Sequence, residues 1–265
     1  MKHLDLFSGI GGFKLAAEWA GFETVAFSEI HEWCDGILEE HWPEIPNIGD
    51  IRDADSEEII RDYGNIDLIT AGVPCQPASL VGKRQGVADD RWLWPETLKL
   101  ISEIKPRWFV GENPRGILNL DNGDKFFGII DWLRDEGYDC WWESLPATSV
   151  GGGHHRQRVW LVALSSSTGL ERQPRSKKAS GKQGLFKKAK NRHAPPKIVL
   201  PIKDSPTWWI NQSPVHPVVD GVSDRALWRN QIEAVGNSIV PQVAYCILKS
   251  IITINKRCVN EPVQE

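Results

Sequence analysis

Over the first 165 residues, short apolar runs alternate with stretches of helical spacing. His3-Leu4-Asp5-Leu6-Phe7 predicts a strand, Ser8-Gly9-Ile10-Gly11-Gly12 a tight glycine turn, and Phe13–Trp19 a helix that Gly21 stops. Thr24–Ser28 predicts a second strand ending at Glu29, and Gly49-Asp50-Ile51 closes a short third. Ile66–Thr70 reads as a buried strand that ends at Gly72, and residues 92–104 carry helical spacing. Arg107–Gly111 is another buried strand and delivers Glu112-Asn113-Pro114 at its end. A helix over Phe126–Asp135, a strand over Tyr138–Leu145 and a strand holding Arg156 and Arg158 complete this part. Near the C-terminus Gln242–Ile252 predicts a helix packed beside the first strand. Strands that alternate with helices predict an α/β fold with a mostly parallel sheet.

The length of 265 residues suits one sizeable domain or one domain with an insertion. No basic-then-apolar leader opens the chain and no apolar run reaches membrane-spanning length, so a soluble, cytoplasmic protein is expected. Five cysteines, at 34, 75, 140, 246 and 258, show no CxxC spacing, which argues against a disulfide framework and a zinc site. His154 and His155 are adjacent on a predicted strand and point to opposite faces, so no metal is expected there.

Charge changes the picture more than composition does. Between Ser165 and Asp204 lie eleven Lys/Arg against Glu171 and Asp204, a net +9 that leaves −13 for the rest of a chain of net −4. An acidic body with one basic segment suits a polyanionic partner held at one place; a solvated linker has the same composition.

The chemistry gathers at the predicted strand ends. Strand, glycine turn and helix bring backbone amides to a ligand, and Glu29, about 20 residues past the turn, is placed for the two hydroxyls of a ribose. Asp50 beside Ile51 offers a carboxylate for an adenine amine and an apolar cover for its face; a helix cap explains the aspartate equally well. Cys75 sits between Pro74 and Pro77, in a rigid elbow that a packing cysteine does not need, and is the candidate nucleophile. The polar stretch 80–90 has the make-up of a mobile active-site loop. Glu112 ends a sheet strand, where a carboxylate is seldom there for packing. It follows Cys75 by one crossover helix, so the two can be neighbours. Arg156 and Arg158 share one strand face.

In this order the motifs resemble the DNA cytosine-5 methyltransferases, especially the compact forms of phages and prophages. The matching residues are Asp5-Leu6-Phe7-Ser8-Gly9-Ile10-Gly11-Gly12-Phe13, Glu29, Gly49-Asp50-Ile51, Pro74-Cys75-Gln76-Pro77, Glu112-Asn113, Arg156-Gln157-Arg158 and Gly236-Asn237-Ser238-Ile239-Val240-Pro241. The resemblance implies a Rossmann-like class I methyltransferase sheet built from 1–164 and 222–265, with a short basic target-recognition region at 165–221. It implies S-adenosylmethionine as cofactor, double-stranded DNA with a flipped cytosine as substrate, and methyl transfer to carbon 5. Cys75 would add to carbon 6, Glu112 would hold and protonate N3, and Arg158, joined by Arg156, would bind O2. Phe7, Ser8, Gly9, Gly11 and Gly12 would surround the methionine part and Glu29 the ribose. Ile30, Asp50 and Ile51 would meet the nucleoside, and Pro74, Leu93, Asn237 and Ser238 would line the rest. The 80–90 loop would assist flipping. No metal is needed, and a monomer in a bacterial or phage-infected cell, working beside a cognate restriction nuclease, fits the family.

Three positions depart from the family pattern: Ala78 where a bulkier residue is usual, Pro114 in place of valine and His154 in place of glutamine. None removes a catalytic group. A dinucleotide oxidoreductase would want Gly-x-Gly-x-x-Gly where this chain has Gly-x-Gly-Gly-Phe. A non-catalytic DNA-binding relative that senses S-adenosylmethionine is opposed by intact Cys75, Glu112 and Arg158, and RNA is an alternative substrate for the same chemistry.

Overall fold

A computed structural model describes residues 1–74, 92–153, 155–166 and 236–260, with side chains to 256. Its elements are β1 (Lys2–Leu6), α1 (Gly12–Ala20), β2 (Glu23–Ser28), α2 (Glu32–His41), α3 (Ser56–Tyr63) and β3 (Leu68–Ala71). They continue with α4 (Trp94–Ile104), β4 (Trp108–Pro114), α5 (Asp124–Asp135), β5 (Tyr138–Pro146), β6 (Gln157–Ser165) and α6 (Pro241–Asn260). The strands form one sheet in the order β2-β1-β3-β4-β6-β5. Pairs from β2 to β4 are parallel; β6 runs antiparallel to both β4 and β5.

Period-2 alternation sends side chains to two cores. Leu4, Leu6, Ile69 and Phe109 meet α3, α4 and α5 on one face. Leu68, Trp108, Val110, Trp160 and Val162 share the other with α1 and α6. Both faces are covered, which is why the parallel strands read as nearly continuous apolar runs.

The exception is a polar chain under α1. Thr70 Oγ1 donates to Asp5 Oδ1 at 2.7 Å, His3 Nε2 lies 2.7 Å from Thr70 Oγ1, and His3 Nδ1 lies 2.9 Å from Thr24 Oγ1. Burial pulls the His3 pKa down to about 3 and pushes Asp5 up to about 7.

Two expectations are corrected. No third strand forms at 49–51: Asn47 makes a single parallel bridge to Phe27, Gly49 turns the chain at φ 74°, and Ile51–Asp53 is a 3-10 turn capped by Asp50. The run between Pro46 and Gly49 is too short to ladder. The last helix is longer than 242–252 and packs beside α1, in the core with Trp108 and Trp160, rather than beside β1. Asn255 reaches the N-terminus there, accepting from Trp108 Nε1 at 3.3 Å and donating to Met1 Sδ at 3.0 Å. All but the first two residues of the expected recognition stretch 165–221 lie outside the described residues, as do Cys75, Ala78, His154 and the 80–90 loop.

Candidate active site

The carboxyl ends of β1, β2, β3 and β4 share one rim of the sheet, where an open α/β fold places its ligand. The start of β6 arrives at the same rim because β6 is antiparallel, with Pro114 opposite Arg158 and Asn113 opposite Val159. Arg156 lies just before that strand.

On one side of the rim the glycine turn meets the corner after β2. Gly9 and Gly11 take φ 54° and 81°, and Gly11 N donates to Ser8 O at 2.9 Å to close the turn. Phe7 also has a positive φ, 55°, a conformation costly outside glycine. At Gly11 a Cβ would stand 2.2 Å from the ring of Trp42, and at Gly12 2.7 Å from Cγ1 of Ile239, so neither position admits a side chain. At Gly9 and Gly49 a Cβ would meet nothing within 4 Å, which leaves open space above both. Glu29 reaches across the turn. Its Oε2 accepts from Gly9 N at 2.7 Å, and its Oε1 from Ile30 N at 3.0 Å and His31 N at 2.8 Å. Next to it Ile30 is 63% exposed, while Ile51 is buried in the core.

Asp50 serves as a cap, the alternative the sequence left open. It accepts from the amide of Arg52 at 2.9 Å, and its two oxygens also take Nε and Nη2 of the Arg52 guanidinium. Those bonds hold its carboxyl below the usual range.

On the other side, Glu112 is buried to 5% exposure. Arg158 Nε lies 2.8 Å from its Oε1, an ion pair within the rim. Burial outweighs the attraction of Arg158 and Arg156 and pushes the Glu112 pKa up to about 7. Arg156 does not join the ion pair directly. Its Nη2 donates to Ser238 O at 2.6 Å, and its Nε is buried with no hydrogen-bond partner among the described residues. The two arginines thus part company, one towards Glu112 and one towards the segment before α6 that covers Gly12. Asn113 donates to Val73 O at 2.8 Å, so the end of β4 anchors the backbone that enters Pro74 and Cys75.

The expected residues therefore form two groups, Phe7, Ser8, Gly9, Gly11, Gly12, Glu29 and Ile30 around the turn and Glu112, Arg156 and Arg158 across the rim, with Ser238 between them beside Gly12 and Arg156. Pro74 and Leu93 flank the stretch outside the described residues, and Asn237 is exposed. Sequence reasoning missed Trp42, Asn113's bond to Val73, and Asn47. Asn47 accepts from Glu29 N and Gly49 N and donates to Glu29 O and Asp35 Oδ1. Among the described residues no group of three or more His, Cys, Asp or Glu is placed to hold a metal, and no helix is long and apolar enough to cross a membrane.

Known proteins are similar to this chain in sequence and in fold. Residues 1–207 match the family model of the C-5 cytosine-specific DNA methylases. The type II methylase M.HgiEI of Herpetosiphon aurantiacus is 31% identical over 198 residues, 73% of this chain and 44% of that protein. M.HaeII of Haemophilus aegyptius is 35% identical over 164 residues, 62% of this chain and 50% of its own. For M.HgiCII of H. aurantiacus the match spans 38% of the relative, so the chain covers half or less of these three proteins. Among solved structures, a prophage-encoded E. coli protein assigned as a DNA modification methyltransferase superposes with a TM-score of 0.55 at 26% identity. That superposition covers 65% of this chain and 49% of the other. The Dnmt2 methyltransferase of S. pombe shares the fold at a TM-score of 0.52 and 21% identity, over 64% of this chain and 53% of its own.

Proposed function

From the membership of this chain in the C-5 cytosine-specific DNA methylase family, we propose that it methylates carbon 5 of cytosine in double-stranded DNA, with S-adenosylmethionine as donor and Cys75 as nucleophile. The observation that carries the reading is Glu112: a sealed carboxyl at the end of β4, its pKa pushed up to about 7, with the Arg158 guanidinium 2.8 Å from one oxygen.

Carbon 5 of cytosine is too weak a nucleophile to take a methyl group unaided. The Cys75 thiolate adds to carbon 6, and electrons move through the ring towards N3 and O2. Glu112 delivers its proton to N3, so no full negative charge builds on the ring. Arg158 holds O2, where the remaining charge collects. Carbon 5 would take the methyl group from the sulfonium, which leaves as the neutral thioether; a base then removes the carbon-5 proton, the double bond re-forms, the Cys75 thiolate leaves and the N3 proton returns to Glu112. The target carbons are hidden in stacked DNA, so the cytosine must leave the helix to reach this rim.

The residues around the glycine turn suit S-adenosylmethionine. A Cβ at Gly9 or at Gly49 would meet nothing within 4 Å; Glu29 Oε2 lies 2.7 Å from Gly9 N, Ile30 beside it is exposed, and Asp50 follows Gly49. Glu29 and Ile30 take the ribose and one adenine face, Asp50 the adenine amine, and Phe7 to Gly12 the methionine part. S-adenosylmethionine supplies an electrophilic methyl group on a sulfonium. The +9 segment within 165–221 grips phosphates, which gives affinity without sequence choice.

Bisulfite sequencing of DNA from cells expressing the chain tests activity, modified base and target site together. Cys75→Ser is expected to abolish methylation while retaining S-adenosylmethionine binding by calorimetry. Appreciable turnover in the serine variant would overturn the mechanism.

A further inference from the structure

We infer that Asn47 is a positioning residue for the nucleoside pocket: its side-chain amide fixes the gap between the Glu29 corner and the Gly49–Ile51 corner by continuing the β2 ladder where the backbone leaves it. The inference rests on the cofactor reading above.

The chain at 46–48 runs parallel to the end of β2. Phe27 N donates to Pro46 O at 2.9 Å and Ile48 N donates to Phe27 O at 2.8 Å. The next rung needs an acceptor for Glu29 N and a donor for Glu29 O. The backbone supplies neither, because Gly49 turns away at φ 74°. Asn47 supplies both: Oδ1 accepts from Glu29 N at 3.0 Å and Nδ2 donates to Glu29 O at 2.9 Å. A primary amide carries the same donor–acceptor pair as a peptide group, so it substitutes for the missing rung.

The rest of the amide ties this rung to its surroundings. Oδ1 also accepts from Gly49 N at 3.0 Å, and Nδ2 also donates to Asp35 Oδ1 at 2.7 Å. Asp35 on α2 can only accept when ionised, so it fixes which end of the amide is nitrogen. Ser28 Oγ adds a bond of 2.8 Å to Gly49 O across the same gap. With Glu29 held at both backbone groups, its carboxylate is aimed at Gly9 on one side, and the adenine corner starts two residues after Asn47 on the other. An alanine at 47 would leave both corners intact and let their spacing drift.

The test uses the full chain with Asn47→Ala, Asn47→Asp and the double variant Asn47→Asp/Asp35→Asn. Calorimetry measures binding of S-adenosylhomocysteine and of 5′-methylthioadenosine, which lacks the amino-acid part. Asn47→Ala is expected to weaken both about tenfold, by the same factor, and to raise KM for S-adenosylmethionine with kcat retained. Asn47→Asp, which sets a carboxylate against Asp35 and the Glu29 carbonyl, is expected to weaken both further. The double variant restores a donor from position 35 and is expected to recover part of that loss. Unchanged binding in Asn47→Ala, a loss in kcat at saturation, or a lowered melting midpoint with normal binding overturns the inference. If Asn47→Ala fails to fold, absence of recovery in the double variant overturns it. A wild-type chain that binds neither compound overturns the cofactor reading along with this one, whereas normal wild-type binding with an unaffected variant overturns only the role of Asn47.

Discussion

On the nucleoside side of the rim, the carboxylates are already engaged by the chain's own donors: Glu29 by three backbone amides and Asp50 by the amide and guanidinium of Arg52. On the side proposed for the base, Glu112 is more deeply buried and faces two arginines, with Arg158 Nε 2.8 Å from its Oε1. Glu29 follows β2 and Glu112 lies near the end of β4 at the same rim, so topology does not separate them. Their donors do. The Glu29 carboxylate is held as a fixed acceptor by backbone amides, whereas the sealed Glu112 carboxyl, pushed up to about 7 by burial, can hand over a proton near neutral pH.

The strongest way to break this contrast is Glu112→Gln. The amide keeps the shape and removes the transferable proton, so turnover is expected to fall by about 10²–10³-fold with cofactor affinity unchanged. Tritiated methyl incorporation and calorimetry read the two halves. Glu29→Ala should do the reverse, raising the dissociation constant for S-adenosylmethionine about 10–100-fold with kcat at saturation nearly retained. Exchanged phenotypes would mean the two sides of the rim have been assigned the wrong way round.

A pH series sharpens the same contrast. The Glu112 carboxyl rises from an ordinary 4.5 to about 7 on folding, so the folded protein binds this proton more tightly than the unfolded chain does. Its contribution to stability is full below about 4.5 and is lost as pH rises through about 7. Asp5, raised from 3.8 to about 7, acts in the same direction. The difference in melting midpoint between wild type and Glu112→Gln, followed from pH 4 to 8, should therefore shift in favour of the variant as pH rises. Parallel curves would show that Glu112 folds ionised.

How far the sequence carries is visible in the same residues. β1, β3 and β4 were legible because both their faces are covered, and the glycine turn because Gly11 and Gly12 have no room for a side chain. The supposed strand at 49–51 was not, since Asp50 next to an isoleucine fits a cap as well as a strand end. Membership of Glu112 and Arg158 in one site was legible by resemblance, but not that Arg156 turns to Ser238, 82 positions away. Asn113 and Asn47 act through backbone groups such as Val73 O and Glu29 N, and a bond to a distant backbone atom puts no constraint on that residue's type. Such links have no pattern to read.

The smallest effect tests whether the nucleoside side owes its order to backbone or to ions. Arg52 and Asp50 form an ion pair with side chains 52% and 22% exposed, and pairs of that kind are worth about 0–1 kcal/mol. Removing the guanidinium does not release Asp50, because the amide of residue 52 still donates to Oδ1. What Arg52→Ala removes is a competing donor on the lone pairs that an adenine amine would use, together with a positive charge near a cationic cofactor. S-adenosylmethionine is therefore expected to bind about 2–5-fold more tightly to the variant at low salt. The gain should shrink at 0.5 M salt, where charges on the surface are screened over a few ångströms. Calorimetry at two salt concentrations reads it. Weaker binding at both would show that the guanidinium, and not the backbone cap, holds Asp50 in place.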